Sequence, residues 1–306
     1  MEMMRSISQL KQYIHRKKEQ KLTIGFVPTM GYLHEGHMSL MEKATSQCDI
    51  VVLSIYVNPL QFGPNEDFDE YPRDMERDMQ IARNMNVDVV FSPTTEEIYP
   101  NKIYTTVSVS NLTSRLCGAS RPGHFDGVST VVMKLLNIVE PHKAYFGQKD
   151  AQQVAVIKQM VTDLNMNVEI VPCPIIREKD GLALSSRNVY LDKAEREQAI
   201  KLFESLEQSE RWIEEQNVTS FELEQLLYEH ISSAHLANID YIEVLSFPDM
   251  QPIENNIPIS QLLSNHQVII ALAVKFGTTR LIDNRIYTGS LNTEKREPEL
   301  GGMIYV

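Results

Sequence analysis

The segment Pro28–Leu40 (PTMGYLHEGHMSL) sets two imidazoles, His34 and His37, three residues apart with Gly36 between them. It follows an apolar strand, turns at Pro28 and Gly31, and opens a helix near Glu35. A helix N-terminus presents unpaired backbone N–H groups and the positive end of the helix dipole, which together make an anion site. Imidazoles placed there donate to phosphate oxygens, and a glycine lets a nucleotide approach the backbone closely. The same spacing also suits a solvated helix face or a chance metal pair, although no Cys or Asp ligand stands nearby in sequence. Two further segments add charge and hydroxyls. Phe146–Asp150 (FGQKD) ends a strand and opens a helix, offering Lys149 to a phosphate and Asp150 as cap or ribose acceptor. Alone, it reads better as a capped helix start with a solvated lysine. Leu184–Asn188 (LSSRN) puts two hydroxyls and the Arg187 guanidinium on one loop, suited to a triphosphate that gains charge as it departs. An ordinary serine-rich turn with an N-cap gives the same letters.

These groups need a scaffold, and the chain supplies a regular one. Short apolar runs at Leu22–Val27, Ile50–Val57, Val87–Phe91, Lys143–Phe146 and Val168–Val171 read as strands. Between them, Glu35–Cys48, Met75–Met85, Val128–Ile138 and Ala151–Leu164 have helical apolar spacing. That alternation is the rhythm of an α/β fold, a Rossmann-like doubly wound parallel sheet, with its ligand site at the carboxyl ends of the strands. After Pro172 and Pro174 the texture changes. Two charge-rich helices, Asp192–Gln216 and Thr219–Ala234, precede strand-like segments at Ile239–Ser246, Gln267–Lys275 and Leu281–Tyr287. This predicts a smaller C-terminal α+β domain, with the boundary between Ile176 and Arg187. The tail from Asn292 is polar and expected to be mobile.

Composition limits the function. The 306 residues carry 29 basic and 41 acidic groups, a net charge of −12 that disfavours nucleic acid and anionic membrane as partners. Residues 1–176 hold a net −3 and residues 177–306 a net −9, so a polyanionic ligand suits the first part better. No apolar run approaches the ~18 residues that span a bilayer, and Met1–Gln20 is a charged helix-like stretch without a signal core. Cys48, Cys117 and Cys173 lie far apart and form neither a disulfide framework nor a C-x-x-C site. A reducing, cytoplasmic setting is the expectation.

The H-x-G-H arrangement after a first strand resembles the signature of the nucleotidyltransferase and class I aminoacyl-tRNA synthetase superfamily. Five motifs in order narrow this: PTMGYLHEGH, NPLQFGPNEDFDEYPRD (Asn58–Asp74), RPGHFDGV (Arg121–Val128), YFGQKDAQQ (Tyr145–Gln153) and LSSRN. Together they closely resemble the pantoate–β-alanine ligase (pantothenate synthetase) family, from about Leu22 to Asp283, with no departure at the motif positions. Nothing beyond Arg285 carries a functional inference.

The resemblance implies condensation of pantoate with β-alanine, driven by ATP through a pantoyl adenylate, with release of AMP and pyrophosphate. It implies an ATP site lined by Met30, Gly31, Tyr32, Leu33, His34, Glu35, Gly36 and His37, faced by Gly147, Gln148, Lys149 and Asp150. Ile176 meets the adenine through its backbone, and Leu184, Ser185, Ser186 and Arg187 close over the outer phosphates. His37, His34, Lys149 and Arg187 carry the catalytic load, with His37 the residue usually written as proton donor. Gln61 and Gln153 hold pantoate, and Gln61 also borders β-alanine. Asn58, Tyr71, Arg121 and His124 take secondary places, each of which also reads as loop structure. The implied domains are residues 1–176 for ATP and pantoate, residues 177–290 as a lid, and residues 291–306 as a tail. Mg²⁺ is expected to bridge phosphate oxygens, with Asp78 a candidate carboxylate. No covalent enzyme intermediate is needed. A homodimer is implied by the family alone.

Two rivals remain. A nucleotidyltransferase acting on a phosphorylated small molecule would need an added basic cluster where this chain offers the amides of Gln61 and Gln153. A non-catalytic nucleotide sensor would have lost His34, His37 or Lys149. A tRNA synthetase is disfavoured by the acidic balance and the lack of a basic appendage.

Overall fold

The computed structural model describes residues 1–64 and 66–289. Its first part runs β1 (Glu2–Met4), α1 (Ile7–Glu19), β2 (Ile24–Thr29), α2 (Glu35–Gln47), β3 (Ile50–Ile55), α3 (Met75–Asn84) and β4 (Val89–Phe91). The short helices α4 (Thr95–Ile98) and α5 (Leu116–Ser120) follow, then α6 (His124–Val139), β5 (Lys143–Gly147), α7 (Ala151–Asp163) and β6 (Glu169–Cys173). The second part carries α8 (Lys193–Ala199), α9 (Lys201–Gln216), α10 (Ser220–Ser232), β7 (Ala237–Phe247), α11 (Ile259–Leu262), β8 (Gln267–Phe276) and β9 (Thr279–Tyr287).

Strands β1 to β6 form one parallel sheet in the order β1-β4-β3-β2-β5-β6, the doubly wound α/β arrangement expected from the sequence. From β2 the chain moves to β3 and β4 on one side, then returns to β5 and β6 on the other. The order therefore reverses between β2 and β5, where the loops leaving the strands part and open a crevice. The loop after β2 carries Met30–His37 and the turn after β5 carries Gln148–Asp150. Topology alone thus puts the two principal motifs face to face.

Helices cover both faces of this sheet, which is why β3 (IVVLSI) reads as an unbroken apolar run. Its Ile50 and Val52 pack with Phe26 and Phe91 on one face. Val51, Leu53 and Ile55 pack with Val27, Leu33 and Met41 on the other. The C-terminal part holds a three-stranded antiparallel sheet, β7-β8-β9. On β8, Val268, Ile270, Leu272 and Val274 face Leu202, Leu206 and Leu227 of α9 and α10. The alternate residues Ile269 and Ala271 join the core beneath the first sheet. Strand β8 is thus the packed seam between the two parts.

Three expectations shift. Met1–Gln20 is not one helix: Glu2–Met4 pairs with β4 as an edge strand before α1 begins. Three residues are too few to show a period in sequence. The helix expected from Val128 begins at His124, and the one expected over Asp192–Gln216 is interrupted at Ile200. The polar tail expected from Asn292 lies outside the described residues.

Candidate active site

The loop after β2 is held from behind by one carboxylate. Asp78 of α3, itself buried, accepts from the backbone N–H of Tyr32 at 2.8 Å and of Leu33 at 2.7 Å. Both oxygens are taken by the loop backbone, so Asp78, considered from sequence as a metal carboxylate, braces the motif and does not line the cavity described below. Leu33 is fully buried beneath the loop and Glu35 is exposed. Helix α2 then starts with a reciprocal cap. His34 Nδ1 accepts from Gly36 N–H at 3.1 Å, and His37 Nδ1 accepts from His34 N–H at 3.2 Å. A Cβ at position 36 would stand 2.8 Å from the His34 ring, so the glycine makes room for the cap.

Those two bonds settle the protons. An Nδ1 that accepts cannot carry hydrogen, so each neutral ring holds its proton on Nε2. The rings lie against each other at a tilt of 39°, with centroids 4.0 Å apart. Burial, with Lys149 nearby, lowers the His34 pKa from 6.5 to about 4. Burial, the His34 ring and Lys149 hold His37 well below its ordinary value as well. Both are neutral Nε2–H donors at neutral pH.

The facing wall comes from β5. After Gly147 a 3₁₀ turn, Gln148–Asp150, leads into α7 and sets Lys149, Asp150 and Gln153 on the cavity. A hairpin between the two parts supplies the third wall. Leu184 N–H donates to Ile176 O at 3.0 Å and Glu178 N–H to Leu182 O at 2.8 Å, which places Leu184–Arg187 beside Ile176. Ser185 Oγ caps its short helix by accepting from Arg187 N–H, and the buried Ser186 hydroxyl donates to Tyr32 O at 3.4 Å. Arg187 is gripped by Asp67 and lies over the Tyr71 ring.

Gln61 sits in a built cradle. Its Oε1 accepts from Asn58 Nδ2 at 3.3 Å and its Nε2 meets Met30 Sδ at 3.1 Å. Asn58 in turn donates to Gly127 O and accepts from Tyr99 OH at 3.0 Å. A Cβ on Gly127 would run into the Leu60 carbonyl, so only glycine lets α6 pack against this turn. The Gln61 carbonyl accepts from His124 Nδ1–H at 2.7 Å, leaving His124 Nε2 to accept from Arg121 at 3.1 Å. Burial and the neighbouring guanidinium lower the His124 pKa to about 4. Arg121 is itself fixed by Glu66, Nε to Oε1 at 2.7 Å. The motif RPGHFDG, whose role the sequence left open, therefore acts as the mounting of Gln61.

One cavity of about 220 Å³ brings most of the expected residues together. Met30, His34, Gly36, His37, Gln61, Gly147, Lys149, Asp150, Gln153, Ile176 and Leu184–Arg187 all line it. Gly31, Tyr32, Leu33, Glu35 and Gln148, also expected there, do not line it. Sequence reading missed the floor, which is apolar: Val128, Val131, Val132 and Leu135 of α6. It also missed Asp67, Glu66 and Asn284, since ion pairs and hydrogen bonds across long stretches of chain leave no local pattern. At Lys149, Asp150, Gln153, Ser185 and Arg187 the cavity meets a larger cleft of about 770 Å³ between the two parts. Amide donors above an apolar floor suit a small branched hydroxy acid. The adjoining cations and imidazole donors suit a polyphosphate.

The sequence matches the family described as pantoate-beta-alanine ligase over residues 2–286. It is 53% identical over 286 residues to a pantothenate synthetase of Acetivibrio thermocellus, covering 94% of this chain and 99% of that one. Among solved structures, a pantothenate synthetase of Thermus thermophilus matches with TM-score 0.84 and 40% identity, covering 93% of this chain and 99% of that one. A Francisella tularensis pantoate-beta-alanine ligase, in complex with beta-gamma ATP and beta-alanine, matches with TM-score 0.77 and 38% identity. The match covers 94% of this chain and 97% of that one.

Proposed function

The chain belongs to the pantoate–β-alanine ligase family, and from that premise we propose that its crevice forms pantoyl adenylate and passes it to β-alanine. One observation carries the reading. The amides of Gln61 and Gln153, an apolar floor and the group His34, His37, Lys149 and Arg187 line a single cavity at the switch point of the sheet. Pantoate combines a carboxylate and hydroxyls with a gem-dimethyl group, which matches amides beside Val128, Val131 and Val132.

In the first step a pantoate carboxylate oxygen attacks the α-phosphorus of ATP, and the bond to the pyrophosphate oxygen breaks. Positioning and charge stabilisation dominate such a transfer. Lys149 and Arg187 supply full charges, and the neutral His34 and His37 donate from Nε2 without giving up a proton. In the second step the neutral amine of β-alanine, beside Gln61, attacks the adenylate carbonyl and AMP leaves. Mg²⁺, when bound, would neutralise charge on the departing pyrophosphate. Asp150 is the carboxylate on the cavity wall that would meet the ion.

The same reading takes residues 1–176 as the ATP and pantoate domain, residues 177–290 as a lid, and a cytoplasmic homodimer as the working form. Cys48, Cys117 and Cys173 are free. Among the described residues no helix is long and apolar enough to cross a membrane.

Pantoate labelled with heavy oxygen in its carboxylate tests the route. The label is expected in AMP. Labelled inorganic phosphate with ADP would mean an acyl-phosphate path and overturn the adenylate reading.

A further inference from the structure

Two adjacent residues of β9 hold the phosphate-facing walls from the far side of the cleft. Asn284, buried, donates from Nδ2 to Gln148 O at 3.0 Å and to Lys149 O at 2.8 Å. These carbonyls belong to the 3₁₀ turn from which the Lys149 side chain hangs, and α7 after it has no side-chain cap. Asp283, also buried, grips Arg177 through Nη1 to Oδ2 at 2.6 Å and Nη2 to Oδ1 at 3.0 Å. Arg177 opens the hairpin whose return strand delivers Leu184–Arg187, and it bridges to Ala183 across that hairpin. Its guanidinium also donates to Gly181 O at 3.1 Å and lies over the Phe203 ring. Successive side chains on a strand point to opposite faces, so one dipeptide reaches the turn and the hairpin at once. Asn284 N–H donates to Asp283 Oδ1 at 2.8 Å and ties the two anchors together.

We propose that Asp283 and Asn284 are positioning residues, a clamp through which the C-terminal sheet sets Lys149 and Arg187 at the distance that adenylation requires. Neither touches the reacting atoms. Their effect passes through the backbone of Lys149 and the base of the Leu184–Arg187 loop. A long, flexible lysine stem amplifies any drift of its own backbone, and misplacement by about 1 Å costs on the order of a hundredfold in rate. The clamp rests on the reading of Lys149 and Arg187 as phosphate-binding groups.

The test uses the full-length enzyme with Asn284→Ala and the near-isosteric Asn284→Leu, which removes both donors while filling the same space. Single-turnover formation of pantoyl adenylate is expected to slow by about 10- to 100-fold, while amide formation from preformed adenylate stays within about twofold. Glu243→Gln is the control, because Glu243 joins the two parts through Arg115 and Leu116 N–H, away from the cavity. It should leave both half-reactions unchanged. Hydrogen exchange over residues 147–156 should quicken in Asn284→Leu and stay unchanged in the control. Equal loss in both half-reactions, or a wild-type adenylation rate in folded Asn284→Leu, would overturn the clamp. Unchanged exchange at residues 147–156 would overturn it whatever reaction the site runs. A wild-type enzyme that makes no pantoate-dependent AMP would instead sink the reaction assignment, leaving the exchange result to judge the clamp.

Discussion

Asp67 holds Arg187 in a two-pronged grip, Nε to Oδ2 at 2.8 Å and Nη2 to Oδ1 at 2.9 Å, with the guanidinium laid over Tyr71. The two residues are far apart in sequence, yet this pairing fixes the plane of the fork. In the proposed reaction, Nη1 and the second proton of Nη2 would serve a phosphate. The carboxylate therefore aims the charge as much as it balances it.

The first prediction follows. Asp67→Ala frees the guanidinium, so ATP KM should rise and the adenylation rate fall by about tenfold, the worth of one charge-assisted hydrogen bond. Asp67→Asn keeps one acceptor and should lose less. Steady-state kinetics with each substrate varied in turn checks this. A rise in pantoate KM with ATP KM unchanged would place Arg187 elsewhere in the reaction.

The second prediction concerns the mounting of Gln61. Gln61→Ala removes a hydrogen bond to a charged substrate, worth about 1.5–3 kcal/mol, and should raise pantoate KM with ATP affinity nearly unchanged. Gly127→Ala should mimic it from a distance. The new methyl meets the Leu60 carbonyl and must displace the turn that bears Gln61. Pantoate KM should rise in both variants, with Gly127→Ala also less stable to urea. Normal pantoate KM in Gly127→Ala would mean the cradle does not position the amide.

The third prediction separates a brace from a metal ligand. Asp78 accepts two backbone N–H groups in a buried site. Asp78→Asn turns one of those acceptors into a donor facing an N–H, at a cost of about 1–3 kcal/mol in stability. Thermal unfolding should record that loss. The Mg²⁺ concentration giving half-maximal adenylation should not move, and a marked increase would return Asp78 to the metal.

How much of this is legible in the sequence depends on the range of the interaction. The parallel sheet is readable because β3 and its neighbours are apolar on nearly every residue, the consequence of helices on both faces. His34, His37, Lys149 and Arg187 are readable because each sits at a strand end or in a loop whose chemistry is local. Asp78 is visible as a carboxylate but not as a brace, since its partners are backbone groups more than forty residues away. Asn284 is invisible for the same reason, lying over a hundred residues from the carbonyls it binds. The cavity floor on α6 resembles any buried helix face until the fold shows what lies above it.

The last prediction turns on the imidazole protons. Because both Nδ1 atoms accept backbone N–H bonds, His34 and His37 are poised as neutral Nε2–H donors, with pKa values below the ordinary 6.5. His124 is lowered in the same way. The sign for stability is fixed: between 6.5 and about 4 the unfolded chain binds protons at these positions that the folded chain refuses. Stability is therefore full above 6.5 and declines as pH falls toward about 4. The urea midpoint should show this slope, and His124→Gln should flatten it. For catalysis, a neutral donor implies an adenylation rate nearly level from about pH 6 to 8, whereas a histidine acting as general acid would lose rate as pH rises through its pKa. His37→Gln keeps an N–H donor of similar reach and should retain more adenylation than His37→Ala. Lys149→Ala removes a full charge and should lose ~10²–10³ in rate. Single-turnover adenylate formation across this pH range decides the matter. An alkaline loss with a midpoint near the ordinary histidine value, or no advantage of Gln over Ala at position 37, would make His37 a proton donor after all.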